Sequence, residues 1–386
     1  MRIVLYTNIL TPYRKYFFDE LSKKCEENNI SFNVLVMAET EPNRNWKYDD
    51  LKTNYTILLE NKSYTFGDIY IHYNPNLKDV INTLNPTHVI CAGSYLCPGV
   101  NTILNMSKKL NYETFFWSES HLYEEKNNSK LKNIVREFIR NYIYKKFDGF
   151  WYAGKLSLDF IEKYASKNFK KIFVPNLVNN EVFDYHKISN MQREKISEYY
   201  NISKEKITFF CPARLTTVKG IDLFLKCIKN YDKKDKFQFL LAGDGELRND
   251  IERISKNSNI DVSILNYLSQ EEVAQLYCVV DFFLMPSLSD PNPLTCIEAL
   301  WSGLPLLVSN HVGNYPEVVK EDKNGFVFNY DKRDELYNIL DSILLKNEEW
   351  YKEAKEYSYN LACHSYNASD VALEIINKPN DEMNKI

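Results

Sequence analysis

At 386 residues the chain exceeds one ordinary core, since single cores stop growing near roughly 250–300 residues, and it is read as two domains. Its 44% apolar residues, 11 Gly and 13 Pro can fill those cores, which excludes disorder, collagen and a disulfide-stapled miniprotein. A formal net charge of −4, from 48 basic and 52 acidic residues, offers nothing to a nucleic-acid partner.

Met1-Arg-Ile-Val-Leu-Tyr enters a strand pattern at once, with no basic region and apolar signal segment before it, and no window holds 18 apolar residues in a row. A soluble protein of the reducing cytoplasm is expected. Eight Cys contain no Cys-x-x-Cys pair, and several sit in apolar runs where thiols act as small hydrophobes. Neither a zinc site nor a disulfide framework is expected.

Short β-rich runs then alternate with longer helical patterns, the signature of parallel sheets covered by helices. Strands are predicted at 2–6, 31–37, 55–59, 88–92, 113–117, 149–153 and 172–174, with helices at 14–28, 75–84, 98–110, 131–147 and 155–165. Val174-Pro-Asn-Leu-Val-Asn-Asn180 marks a boundary, and the polar stretch up to Lys206 is less regular. The rhythm restarts with strands at 208–214, 237–242, 262–265, 282–285 and 305–309 and helices at 220–230, 246–257, 269–278 and 294–301. The fold class is α/β: two doubly wound, Rossmann-like domains facing a cleft, over 1–180 and 181–365, with a helical tail over 366–386.

The first chemical signal is Cys211-Pro-Ala-Arg-Leu-Thr-Thr-Val-Lys-Gly220, a strand that ends in a turn carrying Arg214 and Lys219 before a helix. Two cations at a parallel sheet's C-terminal edge, beside a helix N-terminus, can receive a diphosphate. Gly243-Asp-Gly-Glu-Leu247 permits a tight turn and close backbone approach. The strand end at Asn266 and Tyr267 can present backbone groups to a nucleobase. In the segment from Asp281 to Pro305, a loop carries Asp290, and Pro293 stands near the first turn of a helix that carries Glu298. Both acids can accept hydrogen bonds from sugar hydroxyls, while free N–H groups near Pro293, Leu294 and Thr295 can receive a phosphate.

These residues resemble the retaining glycosyltransferases of family 4, which have the two-domain GT-B fold. The likeness is most specific over residues 207–328 and includes Pro286-Ser287, Gly313-Asn-Tyr-Pro-Glu-Val-Val319 and Asn324-Gly325. It implies an N-terminal acceptor domain and a C-terminal nucleotide-sugar domain, with the last helix returning to the first domain. It also implies that Arg214 and Lys219 bind the donor diphosphate, Glu298 the ribose and Asp290 the donor sugar. Where the family has Glu-x7-Glu this chain has Asp-x7-Glu, shorter by one carbon or roughly 1.5 Å of reach. Asn266 also replaces a common Gly.

In the first half, Thr7 to Arg14, Ala92 to Tyr95 and Trp117 to His121 lie at sheet edges where a ligand is expected, and Glu119 and His121 are candidate catalytic, acceptor-side residues. The helix 131–147 has an apolar stripe, with Lys132, Arg136 and Arg140 on another face that could meet a lipid phosphate. There is no Asp-x-Asp and no His-rich cluster, so no metal and no cofactor are expected. A dehydrogenase is disfavoured, because no Gly-x-Gly-x-x-Gly follows the first strand. The expected activity is retaining, metal-independent transfer from a UDP-sugar to a glycan or lipid-linked acceptor of a bacterial surface polysaccharide. The expected place is the cytoplasm, at the inner face of the membrane. Two alternatives remain at this point: an inactive donor-binding paralogue acting as a partner subunit, and another GT-B enzyme such as a nucleotide-sugar epimerase.

Overall fold

The computed structural model describes residues 1–42, 46–66, 69–122 and 130–381. The chain divides into two units, Met1–Leu177 with Ala368–Ile386, and Val178–Asn367. Each is built on a parallel sheet.

In the first unit the strands are β1 (Arg2–Thr7), β2 (Ser31–Val36), β3 (Thr56–Leu58), β4 (Lys62–Phe66), β5 (Ile69–Tyr73), β6 (His88–Ala92), β7 (Glu113–Ser118), β8 (Gly149–Tyr152) and β9 (Lys170–Phe173). Seven of them form a sheet in the order β3-β2-β1-β6-β7-β8-β9, while β4 and β5 make a separate antiparallel hairpin. Strand order reverses between β1 and β6, which pair in parallel from Ile3 against His88 to Thr7 against Ala92. Ligands of open α/β sheets bind at the carboxyl ends of strands flanking such a reversal. The helix Ala368–Asp381 packs on Pro12–Glu27 within this unit.

The second unit has β10 (Ile207–Pro212), β11 (Phe237–Ala242), β12 (Asp261–Leu265), β13 (Phe282–Met285), β14 (Leu306–Ser309) and β15 (Gly325–Phe328). Their order is β12-β11-β10-β13-β14-β15, so the reversal lies between β10 and β13. Central strands covered on both faces are buried at every position, β13 as an unbroken apolar run and β11 with Gln238 alone polar. Phe209, Phe239 and Phe282 meet in the core, with Phe209 and Phe239 stacked at 5.4 Å.

Several elements depart from the sequence reading. The hairpin β4–β5 and the strand β15 are additional, as are four-residue helices such as Tyr48–Leu51 and the longer helices Asn190–Tyr199 and Arg333–Leu344. Asn190–Tyr199 buries no residue and therefore carries no apolar period. It is started by Ser189, whose side chain accepts from the Gln192 N–H. Arg333–Leu344 does bury Leu336, Leu340 and Ile343, at helical spacing.

The helix Lys130–Tyr144 corrects the expectation of a basic face. Arg140 is only 5% exposed. Its guanidinium lies 4.8 Å over the Phe160 ring and its Nε donates to the Tyr95 hydroxyl at 3.2 Å. A weakly hydrated, planar cation can be buried against aromatic faces, so this Arg belongs to the inner side. The apolar stripe divides instead: Ile143 and Phe147 are buried, whereas Ile134, Val135, Phe138 (76% exposed) and Tyr142 face solvent. The Lys132 side chain lies outside the described residues. Among the described residues no helix is long and apolar enough to cross a membrane.

Candidate active site

The second unit gathers most of the predicted residues at its reversal. After β10 the chain continues the ladder, with the Ala213 N–H donating to Ala242 O at 3.0 Å and the Leu215 N–H to Asp244 O at 2.9 Å. This lays the Arg214 turn against Gly243. A Cβ on Gly243, whose φ is +142°, would come within 2.4 Å of Ala213 O, so only glycine permits that approach. The Arg214 side chain is exposed and has no partner among the described residues.

One 3₁₀ turn later, Lys219 precedes Gly220, the residue before the helix Ile221–Ile228. The Leu288 N–H donates to Val218 O at 2.8 Å, and the Tyr330 hydroxyl bridges Gly220 O and Pro286 O at 3.1 and 2.5 Å. The Lys219 turn is thereby fixed to the loop after β13. The consequence is an ion pair: Lys219 Nζ stands 2.5 Å from Asp290 Oδ2, with the two side chains 19% and 16% exposed. Sequence reasoning had given these residues separate duties, one on phosphate and one on sugar. The structure brings them together across 71 positions.

Asp290 is itself held through its backbone, its carbonyl accepting from the Gly313 N–H at 2.7 Å. Asn314 donates through Nδ2 to Asn292 Oδ1 at 2.9 Å and to Pro293 O at 3.1 Å. Pro293 is the residue before the helix Leu294–Trp301, and no side chain caps that helix. The first-turn N–H groups at Leu294 and Thr295 therefore have no intrahelical acceptor. Glu298 follows one turn on. The Tyr277 hydroxyl donates to its Oε2 at 3.2 Å, and burial pushes the Glu298 carboxyl up to about 7 while that hydrogen bond opposes the shift. The buried Cys296 thiol is raised first by burial and then by Asp290, with Lys219 opposing and Glu298 adding. Asn266 and Tyr267 follow β12, two strands from the reversal, and both are exposed.

In the first unit a cavity of about 390 Å³ opens at the β1/β6 reversal. Glu119 lines it. Its Oε1 is 3.5 Å from Arg14 and its Oε2 accepts from Asn176 Nδ2 at 3.2 Å. His121, two residues on, is 1% exposed and is not in the cavity wall, so the two acceptor-side candidates are separated. Arg14 lay within a segment marked by the sheet-edge rule. Asn8 lay within the same segment, whereas Glu41 and His72 carried no sequence signal. Asn8 Nδ2 donates to Glu41 Oε1 at 3.2 Å, and His72 Nε2 lies 3.2 Å from the same oxygen.

Residues 192–361 match the family model of glycosyl transferases group 1. Among curated relatives, the alpha-monoglucosyldiacylglycerol synthase of Streptococcus pneumoniae is 24% identical over 62% of this chain and 53% of its own length. The GalNAc-alpha-(1->4)-GalNAc-alpha-(1->3)-diNAcBac-PP-undecaprenol alpha-1,4-N-acetyl-D-galactosaminyltransferase of Campylobacter jejuni is 24% identical over 65% of each chain. The chain spans about half the length of the first curated relatives it matches. Among solved structures, Anabaena HepE in complex with UDP superposes with a TM-score of 0.74 at 14% identity, covering 99% of this chain and 100% of that one. WaaG, a glycosyltransferase involved in lipopolysaccharide biosynthesis, gives 0.65 at 12% identity over 97% and 98%. The chain thus has the GT-B fold, and its residues 192–361 match the family model of glycosyl transferases group 1.

Proposed function

We propose that the chain transfers a sugar, with retention of anomeric configuration, from a UDP-sugar to a glycan or lipid-linked acceptor in bacterial surface polysaccharide synthesis. The observation that carries this reading is the Lys219–Asp290 ion pair, which joins the turns after β10 and β13 at the strand-order reversal of the second unit. Breaking the sugar–phosphate bond builds negative charge on the departing diphosphate. Arg214, Lys219 and the N–H groups of Leu294 and Thr295 meet that charge. Glu298 accepts from ribose hydroxyls, and Asp290 leaves Lys219 to accept from the donor sugar. Gly243, Asn266 and Tyr267 bound the nucleotide, and Pro293 sets the helix entry.

Glu119 serves the acceptor in the first unit, and the buried His121 positions its loop. The departing phosphate takes the acceptor's proton, as the family resemblance implies. With two cations and a helix end at the diphosphate, the reaction proceeds without a divalent metal.

The exposed Ile134, Val135, Phe138 and Tyr142, followed by exposed Lys145 and Lys146, suit the interface of an anionic leaflet. Peripheral work at the inner membrane face follows from that surface. It agrees with relatives whose names contain diacylglycerol and PP-undecaprenol.

A thermal-shift panel of nucleoside diphosphates and nucleotide sugars tests the donor half. UDP and a UDP-sugar should stabilise the chain, by about 2.7 kcal/mol at one hundred times Kd. Arg214→Ala should melt normally, Lys219→Ala somewhat lower because Asp290 loses its partner, and both should lose the response. A response to no nucleotide would remove the donor site. Binding without transfer to any acceptor would favour an inactive donor-binding subunit.

A further inference from the structure

The cavity of the first unit is built for a different ligand chemistry from the diphosphate site. Among the described residues lining it there are two carboxylates, Glu41 and Glu119, and one cation, Arg14. That cation is committed. One terminal nitrogen donates to Thr7 Oγ1 and to Ala92 O, both at 2.8 Å. The other faces Glu119 at 3.5 Å, and the guanidinium lies 5.1 Å over the Trp117 ring. A phosphate or carboxylate seeking a bidentate grip on Arg14 would have to displace Glu119 and would still face Glu41.

The wall also offers aromatic surface from Tyr95 and Trp117, and a hydroxyl at Thr11. Ser94 and Ser120, both partly exposed, add hydroxyls to the same wall. Ionised carboxylates only accept hydrogen bonds. Acceptors on one side, hydroxyls beside them and ring faces around them suit a molecule that carries hydroxyl donors and a C–H face but no negative charge. The volume of about 390 Å³ lies within the range of small-ligand sites, ~300–1,000 Å³.

We infer that this cavity binds an uncharged sugar ring and rejects anionic ones, with Glu41 as the specificity-determining residue. Glu41 is fixed for this by Asn8 and by the buried His72, which is itself 3.0 Å from Ser63 Oγ through Nδ1. The inference rests on the transferase reading only in calling that sugar the acceptor's. Glu119 shares the hydroxyls, whereas Glu41 sets the charge rule from the far wall.

The test is saturation-transfer NMR on the full chain. Probes are the methyl glycosides of glucose, galactose and N-acetylglucosamine, against methyl glucuronide and glucose 6-phosphate. The neutral glycosides should bind, the two anions at least about tenfold more weakly, and Arg214→Ala in the other unit should change neither. Glu41→Gln keeps the shape and the hydrogen bonds. It should leave the melting temperature nearly unchanged and weaken the neutral glycosides, which lose a charged acceptor, while raising glucuronide relative to glucoside at least about tenfold. A purely structural role for Glu41 would not move that ratio. Wild-type binding of glucuronide or the phosphate equal to that of the glycosides, absence of any neutral signal, or an unmoved ratio in Glu41→Gln would each overturn the inference. Neutral-sugar binding without a nucleotide response would sink the transferase reading and spare the cavity. A nucleotide response without sugar binding would do the reverse.

Discussion

Asp290→Asn should tighten UDP binding while slowing transfer, an opposed pair of effects that follows from the ion pair. In the free chain Lys219 is neutralised by Asp290 at 2.5 Å, and fewer than a fifth of either side chain is exposed. Unit charges about 4 Å apart attract by ~4 kcal/mol at an effective dielectric near 20. Desolvation, side-chain ordering and residual screening return most of that, leaving about 1–2 kcal/mol. A diphosphate arriving at Lys219 must overcome that amount. Replacing the carboxylate with an amide of the same shape removes it, so UDP affinity should rise roughly 5- to 30-fold. The amide also loses the charged acceptor offered to the donor sugar, and turnover should fall roughly 10- to 100-fold. Calorimetry with UDP beside transfer rates measures both. UDP affinity that falls, or stays within twofold of wild type, would refute the competition between carboxylate and diphosphate for Lys219.

Arg214→Ala should cost about 2–4 kcal/mol in kcat/KM with the fold intact, and near-normal turnover would remove Arg214 from the diphosphate site. Glu298 gives a pH dependence. Its carboxyl is raised by burial to about 7, above the unfolded value of ~4.3. Its contribution to folding is therefore present at low pH and lost as pH rises toward about 7, while ribose hydroxyls prefer the carboxylate. UDP affinity should climb between pH 6 and 8 with proton release at pH 6, read by calorimetry in two buffers, and Glu298→Gln should flatten the profile. Gly220→Ala places a Cβ 2.2 Å from Pro286 O at φ +66°. It should destabilise the chain by roughly 2–4 kcal/mol in denaturant unfolding. EDTA should leave transfer rates unchanged.

Apart from β15, the strands of the parallel sheets were legible because burial on both faces writes the central ones as continuous apolar runs, as in Phe282-Phe-Leu-Met285. The turns carrying Arg214 and Asp290 were legible too, since strand ends and helix starts bracket them. What joins those turns was not. The Lys219–Asp290 contact depends on Tyr330 and Leu288 fixing two loops together, a tertiary fact with no local trace. Arg140 misled for a related reason: a periodic pattern assigns charge to solvent and cannot see three aromatic rings waiting on neighbouring elements. Glu41 follows β2 at the same sheet edge as Asn8. Only the strand order β2-β1-β6 reveals that the two share a cavity.

The most direct measurement follows the anomeric proton by NMR as the purified chain meets UDP-glucose, UDP-galactose and their N-acetylhexosamine counterparts, with water or a lipid-linked glycan as acceptor. UDP should be released from one of these donors, the first-formed product should keep the donor's anomeric configuration, and Arg214→Ala should slow the release roughly 30- to 900-fold. An inverted first product, release of UDP from none of the donors, or release undiminished in Arg214→Ala would contradict retaining transfer at the β10/β13 reversal.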